Sequence, residues 1–239
     1  MTRIVCGALV ALLILSASSE CLARARPPRA WSDAHYARFS DRQFRAYDPA
    51  NQPIDFKNID YQLLSAAIFY ETNRVRLKHG KRTFLYSPAL RVAAFGHAKD
   101  MAETDFHSHI NPDDPKKRTV AQRLALVGLT RCAMSENVAY VPARQYVLVR
   151  KRPGHAEFKI DPSKPVPVHT YLTLARQLLE GWMFSPGHRK NILSNRTRYL
   201  GCAAHYCQKD VLTNTGQKLS LDYVKACQNF ASRRGPNPK

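Results

Sequence analysis

Three short stretches gather side chains capable of metal or acid–base chemistry outside any regular apolar stripe: Phe106-His107-Ser108-His109, Ser135-Glu136-Asn137-Val138-Ala139 and Ser185-Pro186-Gly187-His188-Arg189. Each sets a His or Glu beside a turn or helix start, where residues from different elements can meet. Two neutral imidazoles and one carboxylate are the protein ligands of many catalytic zinc sites, with water in the fourth position. His109, Glu136 and His188 are therefore the candidate ligands for zinc or another divalent cation, and the candidate catalytic set of a metal-dependent hydrolase. No H-E-x-x-H spacing supports that activity, and a carboxylate that only braces loops across a cleft is the plainer reading of Glu136. Ser185, three residues before His188, has the look of a nucleophile, but its place before Pro186 is that of a helix N-cap.

The elements that must position these groups follow from periodicity and punctuation. Leu64, Ala67, Ile68, Thr72 and Val75 recur at helical spacing and Gly80 stops them, which predicts a helix over 60–79. Ser87-Pro88 opens a second, over 88–104, with Leu90, Ala93, Ala94, Ala98 and Met101 inward. Thr119 caps a third that ends at Gly128. A hairpin is expected around Arg152-Pro153-Gly154, a fourth helix over Tyr171–Phe184 and a short one after Ser185-Pro186. Two closing strands, Tyr199–Cys207 and Leu219–Phe230, are joined through Asn214-Thr215-Gly216. Helices first and strands last imply a mixed, layered α+β domain. Residues 26–58, rich in Arg and Pro, show no apolar period and read as a basic, solvated arm, free to pack in part on the domain over 59–231 that follows it, with a basic tail over 232–239.

The chain has 239 residues and a formal charge of +19, yet its 44% hydrophobic content is enough to build a core, which excludes wholesale disorder. Arg3, the apolar run Ile4–Ala17 and the small residues up to Ala25 form a signal-peptide pattern over 1–25, so the expected location is secreted or periplasmic. That run is too short to span a bilayer comfortably, and no later segment has the length a membrane helix needs. Removing 1–25 takes away two arginines and one glutamate, so the mature charge is +18. Cys132, Cys202, Cys207 and Cys227 remain, an even number in an oxidising compartment, where two disulfides are the default and three pairings are open. The spread of Lys and Arg suits anionic lipid or an envelope polymer. It is not interleaved with aromatics as single-stranded nucleic-acid binders require.

Read in order, these residues resemble the CAP superfamily of cysteine-rich secretory, antigen 5 and pathogenesis-related proteins, and its bacterial SCP-like extracellular members. The resemblance rests on Asn73-Arg74, His97-Ala98-Lys99-Asp100-Met101-Ala102, Phe106 with Ser108-His109, and Glu136-Asn137-Val138-Ala139. It continues through Trp182-Met183-Phe184-Ser185-Pro186-Gly187-His188-Arg189-Lys190-Asn191-Ile192-Leu193, Gly201-Cys202-Ala203 and Cys227-Gln228-Asn229-Phe230, so that it spans residues 60–231. It implies an α-β-α sandwich with a central, mainly antiparallel sheet between helical layers. It also implies a cleft lined by His109, Glu136 and His188 and supported by Asn137, Ser185 and Arg189, and bridges Cys202–Cys227 and Cys132–Cys207. Ser135 stands where the family has glycine, and Ser185 where eukaryotic members carry a second glutamate, so the cleft is expected to hold a triad. What the family implies for function is a non-catalytic binding or envelope/host-interaction module of unknown oligomeric state; sterol or lipid binding is the alternative.

Overall fold

A computed structural model describes residues 30–152, 155–159, 164–212 and 218–237. The expected signal peptide, the Pro153-Gly154 turn and the Asn214–Gly216 connection lie outside them. In chain order the elements are α1 (Asp41–Arg45), α2 (Tyr61–Lys78), β1 (Leu85–Tyr86), α3 (Pro88–Glu103), α4 (Val120–Leu126) and β2 (Met134–Pro142). There follow β3 (Val147–Arg152), β4 (His155–Lys159), α5 (Tyr171–Phe184), α6 (Pro186–Ile192), β5 (Tyr199–Leu212) and β6 (Lys218–Ala231).

The helix starts obey the cap chemistry of the sequence. Asp60, Ser87, Thr119 and Thr170 each accept a hydrogen bond from the backbone N–H three residues on. Ser185 sits at the N-cap position of α6 without making that side-chain bond. Gly80, at φ +65°, takes the left-handed turn that ends α2.

The main sheet has the order β1-β5-β6-β2; β1 runs parallel to β5 and the other pairs are antiparallel, while β3 and β4 form a separate hairpin. Side chains alternate across it. Leu200, Cys202, Ala204, Val224, Ala226 and Phe230 pack with α2 and α5, whereas Ala203, Cys227 and Val138 pack with Ala94, Ala98 and Met101 of α3. The result is the expected α-β-α sandwich. α2 is buried almost all round from Leu63 to Asn73, because the sheet covers one side and other segments cover the rest. At Gly201 the sheet meets α3 so closely that a Cβ would lie 2.1 Å from the Arg91 nitrogen.

The structure differs from the sequence expectation in two places. The described part of the 26–58 segment packs on the domain much more fully than a solvated arm would: Trp31, Phe44, Ala50 and Ile54 are buried in the main core. Trp31 is ringed by Tyr36, Phe39, Phe44, Tyr47 and Tyr70 at centroid separations of 5.0–6.1 Å. Tyr36, Phe39, Phe44 and Tyr47 sit on or beside short turns of 3₁₀ and α helix, so their burial leaves no period to read, while Tyr70 meets them from α2. Glu136 lies on strand β2, where a loop was expected. β2 pairs with β6 over nine residues, from Met134↔Ala231 to Pro142↔Tyr223. The tail also docks in part, since the Ser87 hydroxyl donates to the Arg234 carbonyl and Gly235 packs against Ala89 and Leu129.

Candidate functional site

The site is built around the free edge of the main sheet. β2 is the outer strand, so its successive residues Glu136 and Asn137 point to opposite faces. Glu136 faces the α3 side, and Asn137 faces the α6 side. The His107–His109 loop approaches from one layer and α6 from the other, which brings the His109 and His188 rings to a centroid separation of 6.4 Å.

Each partner is placed by a local device. The chain leaves α3 through Asp105 in a left-handed conformation at φ 51°. The buried Lys225 of β6 then donates to the carbonyls of Met101 and Phe106 and pairs with Asp105 at 2.8 Å, which clips the loop to the sheet. His97 of α3 is fully buried, and its Nε2–H donates to the Ser108 carbonyl at 2.9 Å. On the other face, the Asn137 amide donates to Gln228 and to the His188 carbonyl, and Asn191 donates to the Glu136 carbonyl and to the Asn137 side chain.

The Glu136 carboxylate is the hub. Arg123 of α4 donates from Nη2 to both of its oxygens, at 2.9 and 2.7 Å, and His109 Nδ1–H donates to Oε1 at 2.9 Å. In the amide orientation that satisfies both of its polar atoms, Asn229 adds a donor to Oε2 at 3.2 Å and accepts from the Ala94 N–H. The Cys227 thiol lies 3.5 Å from the same oxygen. Arg123 also reaches the carbonyls of His109 and Lys117. Burial pushes the Glu136 carboxyl up, but the His109 bond and the Arg123 charge outweigh it and hold the group below the usual carboxylate range. Burial, and then the neighbouring His109, pull His188 down; His107 is lowered by burial and by Lys225, His109 and His188.

His109, Glu136 and His188 are thus brought together, and Asn137 ties the Glu136 strand to α6. Ser185 and Arg189 do not: neither side chain makes a hydrogen bond or ion pair among the described residues, and Asn191, Arg123 and His97 do that work. Arg123 carried a signal, since a lone arginine beside the Val120–Leu124 stripe of a short capped helix has an apolar flank to cross.

The expected metal triad does not fit this arrangement. Both Glu136 oxygens are already taken by Arg123, His109 and Asn229, and among the described residues no group of three His, Cys, Asp or Glu side chains is placed to hold a cation.

The expected disulfides do not form either, and all four cysteines stand as free thiols. Register is the reason. Cys202 lies opposite Gln228, and Cys227 lies opposite Ala203, so the two thiols project from opposite faces of the β5–β6 pair. Cys132 precedes β2 and packs in the cluster with Tyr199 and Ala231, whereas Cys207 lies eight residues along β5, opposite Tyr223, roughly 26 Å away at about 3.3 Å per residue.

A profile of the CAP group, described as the cysteine-rich secretory protein family, matches residues 69–216, more than half of the chain. The chain belongs to this family. One relative of this CAP protein is an uncharacterized membrane protein, YlbC, of Bacillus subtilis, 28% identical over 130 residues. The match covers 54% of this chain and only 28% of that protein. Among solved structures, an extracellular protein containing an SCP domain from Bacillus anthracis aligns with a TM-score of 0.48 and 22% identity, over 76% of this chain and 45% of its own. An outer surface protein of Borrelia burgdorferi aligns with a TM-score of 0.42 and 15% identity, over 77% of this chain and 98% of its own. Among the described residues, no helix is long and apolar enough to cross a membrane.

Proposed function

We propose that this CAP protein is a non-catalytic binding module of the cell envelope or exterior that attaches to anionic lipid surfaces. The observation that carries the reading is the exposed corner between α5 and α6. Phe184 is 88% exposed there, and the exposed Arg189 and Lys190 follow on the next helix without an acidic partner among the described residues. An aromatic ring beside cations is the composition that enters a headgroup layer, each cation near an anionic surface contributing about 1 kcal/mol. The cleft supports a non-catalytic role. Its one carboxylate is buried and saturated with donors, so it is not free to take a proton from a substrate. The apolar run Ile4–Ala17 supports export.

Flotation with vesicles of phosphatidylcholine, with and without phosphatidylglycerol, tests the proposal. At low salt the protein floats with the anionic vesicles and is released as salt rises. The Phe184→Ala/Arg189→Gln/Lys190→Gln variant binds about tenfold more weakly or worse. Equal partitioning onto neutral and anionic vesicles would sink the lipid reading. Stoichiometric zinc retained after dialysis, and lost in His109→Ala/His188→Ala, would instead revive a metal-dependent hydrolase.

A further inference from the structure

A cleft of about 550 Å³ opens between the end of α2, the turn that follows it and the loop between α6 and β5. Arg76, Lys81, Arg82, Arg196 and Arg198 line it, and no aspartate or glutamate does. None of the five has a carboxylate partner among the described ion pairs, although acids elsewhere in the molecule are paired readily. Thr197, buried in the same wall, has a hydroxyl with no hydrogen-bond partner.

Arg76 is the built part of this site. Its guanidinium lies 3.8 Å over the Phe84 ring, Nε donates to the Arg82 carbonyl, and Nη1 donates to the carbonyls of Ile192 and Ser194. Those bonds fix its plane and leave Nη2 without an acceptor among the described residues. Burial, and then the like charge of Arg198, draw Arg76 down to about 10. A buried cation facing other cations, with donors to spare and an orphan hydroxyl beside it, is a site that lacks its anion. The free Nη2 carries two N–H donors on a charged group held in a fixed plane, which suits a strong hydrogen bond to a phosphate oxygen. The space is larger than a bare ion needs and falls in the range of small-molecule sites.

We propose that this cleft binds a phosphate group carried on a larger molecule, either a soluble phosphate ester or the headgroup of an anionic phospholipid. Arg76 and the Thr197 hydroxyl are the inner donors, and Lys81, Arg82, Arg196 and Arg198 form the outer ring. The site stands on its own geometry and does not depend on the Phe184 corner.

Isothermal titration of the full chain with inorganic phosphate and with glycerol 3-phosphate tests it, alongside vesicle flotation with phosphate as competitor. Saturable 1:1 binding is expected, weakened at least tenfold in Lys81→Gln/Arg198→Gln. Arg189→Gln/Lys190→Gln, which removes the same charge at the other corner, leaves it within twofold. Thr197→Val weakens binding about threefold or more without lowering the melting temperature of the unliganded protein, since it removes a hydroxyl that has no partner there. Phosphate that displaces the protein from phosphatidylglycerol vesicles identifies a lipid headgroup as ligand; phosphate binding with no effect on vesicles identifies a soluble ester. No saturable binding of either probe, or equal weakening by the two double variants, overturns the site. Failure of the vesicle proposal alone leaves a different signature: flotation is lost while phosphate titration is intact.

Discussion

Replacing Arg123 by methionine keeps much of the side chain's length and removes the charge that faces Glu136. The loss is specific. Two bonds to the carboxylate, at 2.9 and 2.7 Å, disappear together with those to the carbonyls of His109 and Lys117, and Glu136 stays buried with His109 and Asn229 as its remaining donors. Breaking a buried ion pair by removing one partner costs about 3–5 kcal/mol, because the other charge is left in a poorly solvating place. For a chain of this size that is a fall in melting temperature of roughly 6–20 °C. Glu136→Gln should cost a similar amount through the stranded Arg123. The double variant Arg123→Met/Glu136→Gln should cost about 1–3 kcal/mol less than the sum of the two, since no unpaired charge then remains. The pH dependence has a definite sign. In the wild type the lowered Glu136 contributes stability that is present above the unfolded carboxylate pKa, about 4.3, and is lost as pH falls through the lower folded value. In Arg123→Met, burial is opposed by less charge and the folded value rises, so the gap between variant and wild type narrows as pH falls from 7 towards 4. Urea unfolding followed by tryptophan fluorescence measures all of these; Trp182, whose indole donates to the Val138 carbonyl on β2, reports from next to the site. A cost below about 1 kcal/mol for Arg123→Met, or strict additivity in the double variant, would refute the view that Glu136 is a structural hub.

Three further outcomes follow from the fold. Gly201→Ala drives a methyl group into the α3 backbone, which cannot move aside as a side-chain tip would, and should cost about 3 kcal/mol or more in the same unfolding assay; a neutral substitution would mean that α3 sits further from the sheet. A peptide map of denatured, unreduced and alkylated protein should contain neither a Cys202–Cys227 nor a Cys132–Cys207 cross-link. In the native state Cys202 and Cys227, buried with thiols pushed up by desolvation, should react far more slowly with alkylating reagent than Cys132 and Cys207. Finding the Cys202–Cys227 cross-link would overturn the β5–β6 register, and the Cys132–Cys207 cross-link would overturn the packing of Cys132 beside the start of β5.

Much of the frame was legible because the signals were local. Ser87-Pro88, Thr119 with Gln122, and Tyr171–Phe184 each announce a helix within a few residues, and the structure has them there. The aromatic packing of Trp31 was not legible, since its partners are spread from Tyr36 to Tyr47 on short, irregular turns and to Tyr70 on α2. Nor was β2, because Ser135 to Val138 place two polar residues on opposite faces of an edge strand and so break the alternation that marks one.

The sequence by itself determined the layered class, the helix boundaries, the family and the convergence of His109, Glu136 and His188, because caps, periods and motif order are written in neighbouring residues. Only the tertiary structure decided what that convergence means. Arg123 is 13 residues from Glu136 in the chain and Asn229 is 93 residues beyond it, and their donors turn a would-be metal ligand into a brace. The same holds for the cysteines: a one-residue stagger between β5 and β6 puts Cys202 and Cys227 on opposite faces, and register belongs to the pair of strands rather than to either alone.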